Sequence, residues 1–221
     1  MFKNGILKPY SIIKFNKYSK YVNTSNPNIL DVGCGNHSPR IIKHHIPNCI
    51  YHGIEKDKMN VDKYDEMAAD NLFYFDLEGD ELKNLEDSMY DFVIISHVIE
   101  HLNNGFDVIK VVKDKMKTKG ILYVELPSEK SLFLPSTIGT LNYFDDDTHI
   151  NFVSFNLIIQ WFTELNLIVL ESGIKRDIRK IFTVPLHIPN QIYSIVKNRK
   201  LSAYGLWDLL GFANYFVVIK L

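Results

Sequence analysis

A glycine turn followed 20 residues later by a carboxylate is the first feature of this sequence that points to chemistry. Gly33 and Gly35 follow an apolar run that includes Asp31, and glycine lets the backbone bend sharply close to a ligand. Glu55 ends the next apolar run, where a carboxylate can accept hydrogen bonds from both hydroxyls of an adenosine ribose. Asp76 follows a third run and could contact the adenine. A tight turn in an unrelated α/β fold is the alternative, but three elements in succession favour a nucleoside site.

The segment from His97 to His101 has the pattern H-x-x-E-H, which also occurs in zinc peptidases. Such a zinc site needs two histidines on one helix face, a basic glutamate and a third ligand downstream. Here the pattern directly follows an apolar run at 91–96 and stands among cofactor-type motifs. We therefore expect no metal. Glu100 and His101 are predicted to orient the loop, and His97 is a candidate catalytic residue that lines the pocket.

His149 is the candidate general base. It follows an aspartate-rich turn at 145–148 and precedes a predicted helix that Ser154 caps. The reference pKa of histidine, roughly 6.5, allows it to accept a substrate proton. The alternative is that His149 only hydrogen-bonds within its loop, and the sequence favours neither interpretation. The aspartates are interpreted as a solvated turn rather than as a metal site.

These residues need a scaffold that brings them together. Strands are predicted at residues 28–32, 49–55, 72–76, 91–96, 121–126, 167–170 and 215–219. Helices are predicted at 39–45, 106–117 and 154–165. The alternation indicates an α/β fold with a Rossmann-like, doubly wound, seven-stranded sheet, mostly parallel with one antiparallel strand, and helices on both faces. Ligands of such sheets bind at the carboxyl ends of the strands.

One domain is expected to hold this sheet. It spans residues 26–221, and the mildly basic and aromatic residues 1–25 are predicted to form a helical cap. Residues 172–211 exceed the usual length of a connection and are predicted to be a partly helical insertion. Arg176 and Arg179 within it could recognise a phosphate or a carboxylate, although solvated surface arginines are the commoner case.

Composition excludes several classes of protein. The chain has 221 residues and a net charge of -1, so it lacks the basic field of a general nucleic-acid binder. Its two cysteines, Cys34 and Cys49, cannot form a disulfide framework, which favours a reducing cytoplasm. No apolar run reaches the roughly 18 residues that a membrane span needs.

The stretch from Ile29 to Pro127 resembles class I S-adenosylmethionine-dependent methyltransferases. The resemblance rests on ILDVGCGN at 29–36, YHGIEKD at 51–57, FDLE at 75–78, YDFVIISHVIEHL at 90–102 and GILYVELP at 120–127. The segment DTHINFVSFNLIIQWF at 147–162 is similar to one common in the branch of the family that acts on small molecules.

The resemblance implies S-adenosylmethionine as the cofactor, with particular residues in contact with it. Asp31 and the loop formed by Gly33, Cys34 and Gly35 would hold its methionine end. Glu55 would bind the ribose hydroxyls.

The remaining implied contacts lie further along the chain. Asp76 and Leu77 would flank the adenine, and Ser96 and His97 would line the methyl-donor side. His37 stands where many members of the family have a further glycine, so the loop must adopt a conformation that a β-carbon tolerates.

We expect a cytoplasmic methyltransferase that acts on an oxygen or a nitrogen of a small molecule or biosynthetic intermediate. A sugar or glycan precursor is the favoured acceptor, because the C-terminal organisation resembles that of members with such acceptors. Two alternatives stay open. One is a nicotinamide-dependent oxidoreductase, whose third glycine would stand at Ser38, and the other is a non-catalytic cofactor-binding protein. A homodimer is compatible with the sequence.

Overall fold

The computed structural model describes residues 19–22, 24–35, 37–177, 182, 184–203 and 206–221. Most of the predicted helical cap at 1–25 lies outside this part of the chain, and so does Arg179. Within it, Ser19–Tyr21 form a short 3-10 helix. The cap as a whole therefore stays a prediction.

Strands and helices alternate along the described chain. The strands are β1 Asn28–Val32, β2 Ile50–Glu55, β3 Asn71–Tyr74, β4 Tyr90–Ser96, β5 Met116–Pro127, β6 Thr137–Ile138, β7 Leu167–Ile174, β8 Leu201–Ser202 and β9 Ala213–Lys220. The α-helices are α1 Ser38–His45, α2 Lys63–Ala68, α3 Gly105–Lys115, α4 Phe155–Glu164, α5 Val184–Asn198 and α6 Trp207–Leu210.

Seven of these strands form one sheet, in the order β3-β2-β1-β4-β5-β9-β7. Strands β1 to β5 pair in parallel, and β9 lies antiparallel between β5 and β7. This confirms the predicted seven-stranded, mostly parallel sheet with one antiparallel strand. The strand order reverses between β1 and β4, so the ligand crevice is expected at the carboxyl ends of these two strands.

Helices cover both faces of the sheet, and this explains why its central strands are almost wholly apolar. Residues 92–95 of β4 are at most 1% exposed. Val93 belongs to a core cluster on one face that includes Ile158 of α4. Ile94 belongs to a cluster on the other face that includes Ile42 of α1.

One boundary differs clearly from the sequence prediction. The helix predicted at 106–117 ends at Lys115, and β5 begins at Met116 rather than at residue 121. Met116 is fully buried and pairs with Tyr90, so tertiary packing draws this segment into the sheet. A register shift between Tyr90 and Phe92, together with a left-handed φ of 64° at Lys119, accommodates the extra residues.

The segment predicted as an insertion, 172–211, begins inside the sheet. Its first residues belong to β7, which continues to Ile174. Helix α5 follows, and β8 pairs in parallel with β6 as a separate two-stranded sheet. Among the described helices, none is long and apolar enough to cross a membrane.

Candidate active site

The loop after β1 is a tight turn built on two glycines with left-handed backbone conformations. Gly33 has a φ of 68° and Gly35 a φ of 52°, which a side chain would disfavour. The backbone N–H groups of Gly33 and Cys34 donate to the carbonyl oxygen of Ile54 at 2.9 and 3.0 Å. A β-carbon at Gly33 would overlap Cγ2 of Val98, in the loop after β4. The turn therefore lies against two neighbouring strand ends.

Glu55 ends β2 directly beside this turn, as the sequence spacing predicts. The backbone N–H of Gly35 donates to Oε2 of Glu55 at 2.9 Å. The other carboxylate oxygen, Oε1, accepts from the Lys56 backbone N–H at 3.0 Å and from Nδ2 of Asn60 at 3.1 Å. These bonds hold the carboxylate at the mouth of the turn, where a ribose could add its hydroxyls.

Asp31 lies beneath the turn rather than in the open crevice. It is 1% exposed and accepts a hydrogen bond from Tyr51 Oη at 2.8 Å and another from Ser38 Oγ. Burial, and then the charge of Asp31, raise the pKa of Tyr51 well above its usual value. This geometry makes Asp31 an anchor that joins β1 to β2 and α1, and a direct contact to the cofactor stays a prediction.

Asp76 and Leu77 follow β3, at the same edge of the sheet as Glu55. Oδ2 of Asp76 lies 2.6 Å from Lys56 Nζ, and its Oδ1 accepts from the Glu78 backbone N–H at 3.1 Å. The hydrogen bond from Lys56 lowers the pKa of Asp76. Leu77 is half-buried against the core. Asp76 is thus exposed at the edge of the sheet, and its contact with the adenine stays a prediction.

His97 is held between two buried carboxylates. It follows Ser96, the half-exposed last residue of β4, with a left-handed φ of 55°. Its Nδ1 lies 3.0 Å from Oε1 of Glu100, and its Nε2 lies 3.0 Å from Oε1 of Glu125. Burial alone would lower the pKa of His97, but the hydrogen bonds to these two carboxylates raise it to about 9. His97 is therefore a charged donor at neutral pH and is unsuited to act as a base.

Sequence analysis did not identify Glu125 and Lys175, which complete this network. Lys175 Nζ donates to Oε1 of Glu125 at 2.6 Å, and Tyr123 Oη donates to Oε2 at 2.6 Å. Lys175 is 1% exposed, and its Nζ also lies 3.7 Å from Oδ1 of Asp208. A glutamate inside the apolar stretch of β5 was the available signal, since a buried carboxylate needs a partner.

His149 lies beside His101, the residue that follows Glu100. Nδ1 of His149 donates to the backbone carbonyl of Tyr143 at 2.6 Å, and Nδ1 of His101 donates to that of Thr148 at 3.0 Å. The two imidazole rings have centroids 4.9 Å apart. A ring nitrogen that bonds to a carbonyl must carry the proton, so Nε2 is the acceptor in the neutral form of each ring. Nε2 of His149 also lies 3.9 Å from Oδ2 of Asp146. The structure thus places two imidazole rings together at this point.

The family is now clear from both sequence and fold. The model of the methyltransferase domain family matches residues 12–172, well over half of the chain, and the protein belongs to this family. This confirms the predicted resemblance, and the predicted cofactor, S-adenosylmethionine, is the one that the family uses. No curated protein matches the chain significantly in sequence.

Solved structures share the fold at low sequence identity. A S-adenosylmethionine-dependent methyltransferase of Archaeoglobus fulgidus is 18% identical, with a TM-score of 0.64 over 95% of this chain and 93% of its own. One of Mesorhizobium loti is 9% identical, with a TM-score of 0.64 over 94% of this chain and 98% of its own. Phosphoethanolamine N-methyltransferase 2 of Haemonchus contortus, in complex with phosphomonomethylethanolamine and S-adenosylhomocysteine, is 12% identical, with a TM-score of 0.65 over 94% of this chain and 52% of its own.

The residues at the β1 and β2 ends fit a nucleoside cofactor. Gly35 has open space where a β-carbon would stand, with Oε2 of Glu55 the nearest atom at 4.0 Å. The carboxylate of Glu55 suits a pair of hydroxyl donors, because it accepts hydrogen bonds only. An open backbone turn beside an acceptor at a strand end is the arrangement that adenosine binding requires.

Proposed function

We propose that this protein transfers the methyl group of S-adenosylmethionine to an oxygen or nitrogen of a small molecule or biosynthetic intermediate. One observation carries the proposal. At the carboxyl ends of parallel neighbouring strands, Gly35 after β1 bonds to Glu55 at the end of β2, and His101, which lies beside His149, follows β4. A methyl donor and an activated acceptor would therefore face each other there.

Each side of the crevice has a distinct task. S-adenosylmethionine supplies an electrophilic methyl group on a sulfonium, so the protein must mainly align the acceptor and exclude water. Glu55 would bind the ribose, and the turn around Gly35 would admit the chain of the cofactor close to the backbone. His97 would place a positive charge beside the ligands, while both of its ring N–H groups already donate to Glu100 and Glu125.

The acceptor side favours a hydroxyl. A hydroxyl must lose its proton as the methyl group arrives, whereas an amine loses its proton more easily. The paired imidazoles of His101 and His149 suit the harder task, which supports a sugar, a glycan precursor or a similar hydroxylated compound. The likeness to a phosphoethanolamine N-methyltransferase supports a small polar acceptor more generally.

We further propose a reducing cytoplasm as the site of action. Cys34 and Cys49 are both free and are 5% and 3% exposed. Burial raises the pKa of both thiols, which makes them poor nucleophiles and poor sensors. Such cysteines are typical of a compartment that neither forms nor requires disulfides.

A labelled-methyl transfer assay tests the proposed function. The purified protein is incubated with S-adenosylmethionine carrying a labelled methyl group and with a panel of sugars, nucleotide sugars, glycan precursors and phospho-amines. We expect transfer to at least one hydroxylated acceptor, and Glu55→Ala should reduce it by weakening cofactor binding. Tight cofactor binding without transfer to any member of the panel would contradict the proposal and favour a non-catalytic role.

A further inference from the structure

Glu100, His101 and His149 gather three metal-ligating side chains at one point. One carboxylate oxygen and one nitrogen from each imidazole all lie within 4.8 Å of one another. Glu100 and His101 belong to the 3-10 turn Ile99–His101 after β4, and His149 comes from the loop before α4. The backbone N–H groups of Ile150 and Asn151 donate to the carbonyl oxygen of Glu100 at 3.0 and 3.2 Å, which ties the two loops together.

Both histidines are oriented as metal ligands usually are. A ligating imidazole generally donates its second ring N–H to a carbonyl, which fixes the tautomer and leaves the other nitrogen unprotonated. His101 and His149 each make such a bond, to the backbone carbonyls of Thr148 and Tyr143. With Nδ1 of each ring bonded to a carbonyl, Nε2 is the nitrogen that each of the two adjacent imidazoles could offer to a metal ion.

A buried carboxylate oxygen of Glu100 independently points to a missing ligand. Its side chain is 2% exposed, and while Oε1 bonds to His97, Oε2 is buried with no hydrogen-bond partner among the described residues. The hydroxyl of Tyr143, whose ring stacks on His149 at 4.6 Å, is buried without a partner in the same way. Such atoms cost free energy unless something satisfies them, and a carboxylate oxygen attracts a cation above all.

We propose that Glu100, His101 and His149 bind one divalent transition-metal ion, of the class of Zn²⁺, Mn²⁺ or Fe²⁺. Two imidazole nitrogens and one carboxylate oxygen suit these ions, whereas Mg²⁺ and Ca²⁺ prefer oxygen ligands alone. This departs from the sequence expectation of no metal. The H-x-x-E-H pattern suggested His97 and His101 as a pair, but His97, before the 3-10 turn, bonds to Glu125, and His149 is the imidazole that lies beside His101.

In a second cluster of possible metal ligands, an arginine already supplies the positive charge. His37, Asp62 and Asp65 also lie close enough for a metal. However, the guanidinium of Arg40 already occupies that cluster and bonds to Asp62 and Asp65 at 2.8 and 2.9 Å. It therefore needs no further cation, unlike the cluster at Glu100.

The ion would also take part in the proposed methyl transfer. This part of the inference rests on the proposed function. A hydroxyl bound to a divalent ion loses its proton more readily, so the ion would activate the acceptor oxygen. The acceptor O–CH₃ bond then forms as the S–CH₃ bond of the sulfonium breaks, and the hydroxyl proton passes to solvent water. His149 would act as a ligand in this scheme, because one lone pair cannot hold an ion and accept a proton at once.

Metal analysis of the whole protein tests the inference without an acceptor. The protein is stripped with a chelator and dialysed, and Co²⁺ is added as a spectroscopic probe while Zn²⁺ is titrated by calorimetry. We expect one ion per chain, with a visible Co²⁺ absorption. His101→Ala and His149→Ala should each weaken Zn²⁺ binding by at least about 100-fold, since each removes one of three ligands. His44→Ala, which removes an exposed imidazole from α1, should bind as the parent does.

The outcomes separate this inference from the proposed function. Circular dichroism verifies folding, and Glu100→Gln, which nearly preserves shape, replaces any alanine variant that fails to fold. Absence of a stoichiometric ion, or equal binding by the parent and by both histidine variants, overturns the metal site and leaves His149 as a base. S-adenosylmethionine affinity is measured on the same metal-free protein, so loss of cofactor binding would count against the proposed function alone.

Discussion

Lys175 and Glu125 form a buried ion pair between segments that lie 50 residues apart in sequence, with Nζ and Oε1 separated by 2.6 Å. The pair joins the end of β5 to the residue after β7, and the same oxygen of Glu125 lies 3.0 Å from His97. Oε1 of Glu125 thus contacts both Lys175 and His97 in a network that also includes Asp208 and Glu100.

Breaking this pair should destabilise the fold. Lys175→Met leaves Glu125 buried with fewer donors, and removal of one partner from a buried pair costs about 3–5 kcal/mol. The double variant Lys175→Met/Glu125→Gln should lose less than the sum of the two single losses, because it leaves no unpaired charge between these positions. Urea unfolding measures all three variants, and a loss below about 1 kcal/mol for Lys175→Met would show that the pair is not important for stability.

Cofactor affinity should depend on the Glu55 carboxylate. Glu55→Ala removes the acceptor beside Gly35 and should weaken S-adenosylmethionine binding by about 1.5–3 kcal/mol, the scale of a charged hydrogen bond. Calorimetry provides the dissociation constant, and Glu164→Ala, which removes an exposed carboxylate at the end of α4, serves as the control. Unchanged affinity in a folded Glu55→Ala protein would rule out the ribose contact.

Turnover should depend on His149 far more than cofactor binding does. Whether it holds an ion or accepts a proton, His149→Ala should lower kcat by about 10²–10⁴-fold and leave the dissociation constant of S-adenosylmethionine nearly unchanged. The measurement is a steady-state methyl-transfer assay with an accepted substrate, with His44→Ala as the matched control. Near-full activity of His149→Ala would place the acceptor elsewhere in the crevice.

Acid should weaken the anchor formed by Glu171. Its carboxylate accepts from Tyr21 Oη at 2.9 Å and from Tyr215 Oη at 2.7 Å, and it pairs with Lys20 at 2.6 Å. Burial alone would raise the pKa of Glu171, but these donors lower it from 4.5 to about 2. A lowered pKa stabilises the fold above pH 4.5, and this contribution is lost as the pH falls from 4.5 towards 2.

The variant Glu171→Gln tests this dependence. Near pH 7 it should be less stable by on the order of 2 kcal/mol, less than the full pKa shift would imply, because solvent screens the exposed Lys20. Its unfolding free energy should also change less than that of the parent between pH 4.5 and pH 2. Glu164→Gln, at an exposed carboxylate at the end of α4, should retain the parental profile, and a Glu171→Gln profile parallel to the parent's would contradict the prediction.

The sequence predicts the sheet and the position of Glu55 beside the glycine turn, because both depend on local patterns. An apolar run such as residues 92–95 directly indicates a strand that is covered on both faces of the sheet. The position of Glu55 near Gly35 follows because β1 and β2 are adjacent and parallel. The start of β5 is harder to predict, since Lys113 and Lys115 look helical while the burial of Met116 decides the pairing.

The acceptor side depends on loops that the sequence leaves unspecified. The contact of His101 with His149 requires the loop before α4 to pack against the turn after β4. The hydrophobic periodicity of the sequence does not predict how two loops pack. Likewise, Lys175 looks like an ordinary surface lysine in sequence. Only the antiparallel pairing of β9 with β5 and β7 brings Lys175 beside Glu125.

The steric fit between Gly33 and Val98 means that neither position can be changed independently of the other. A β-carbon at position 33 would overlap the branched side chain of Val98, and the φ of 68° at Gly33 disfavours any L residue. A relative that has lost the glycine must therefore also have reshaped the loop after β4. For the same reason, a glycine turn transplanted from another enzyme should carry its partner residue from that loop with it.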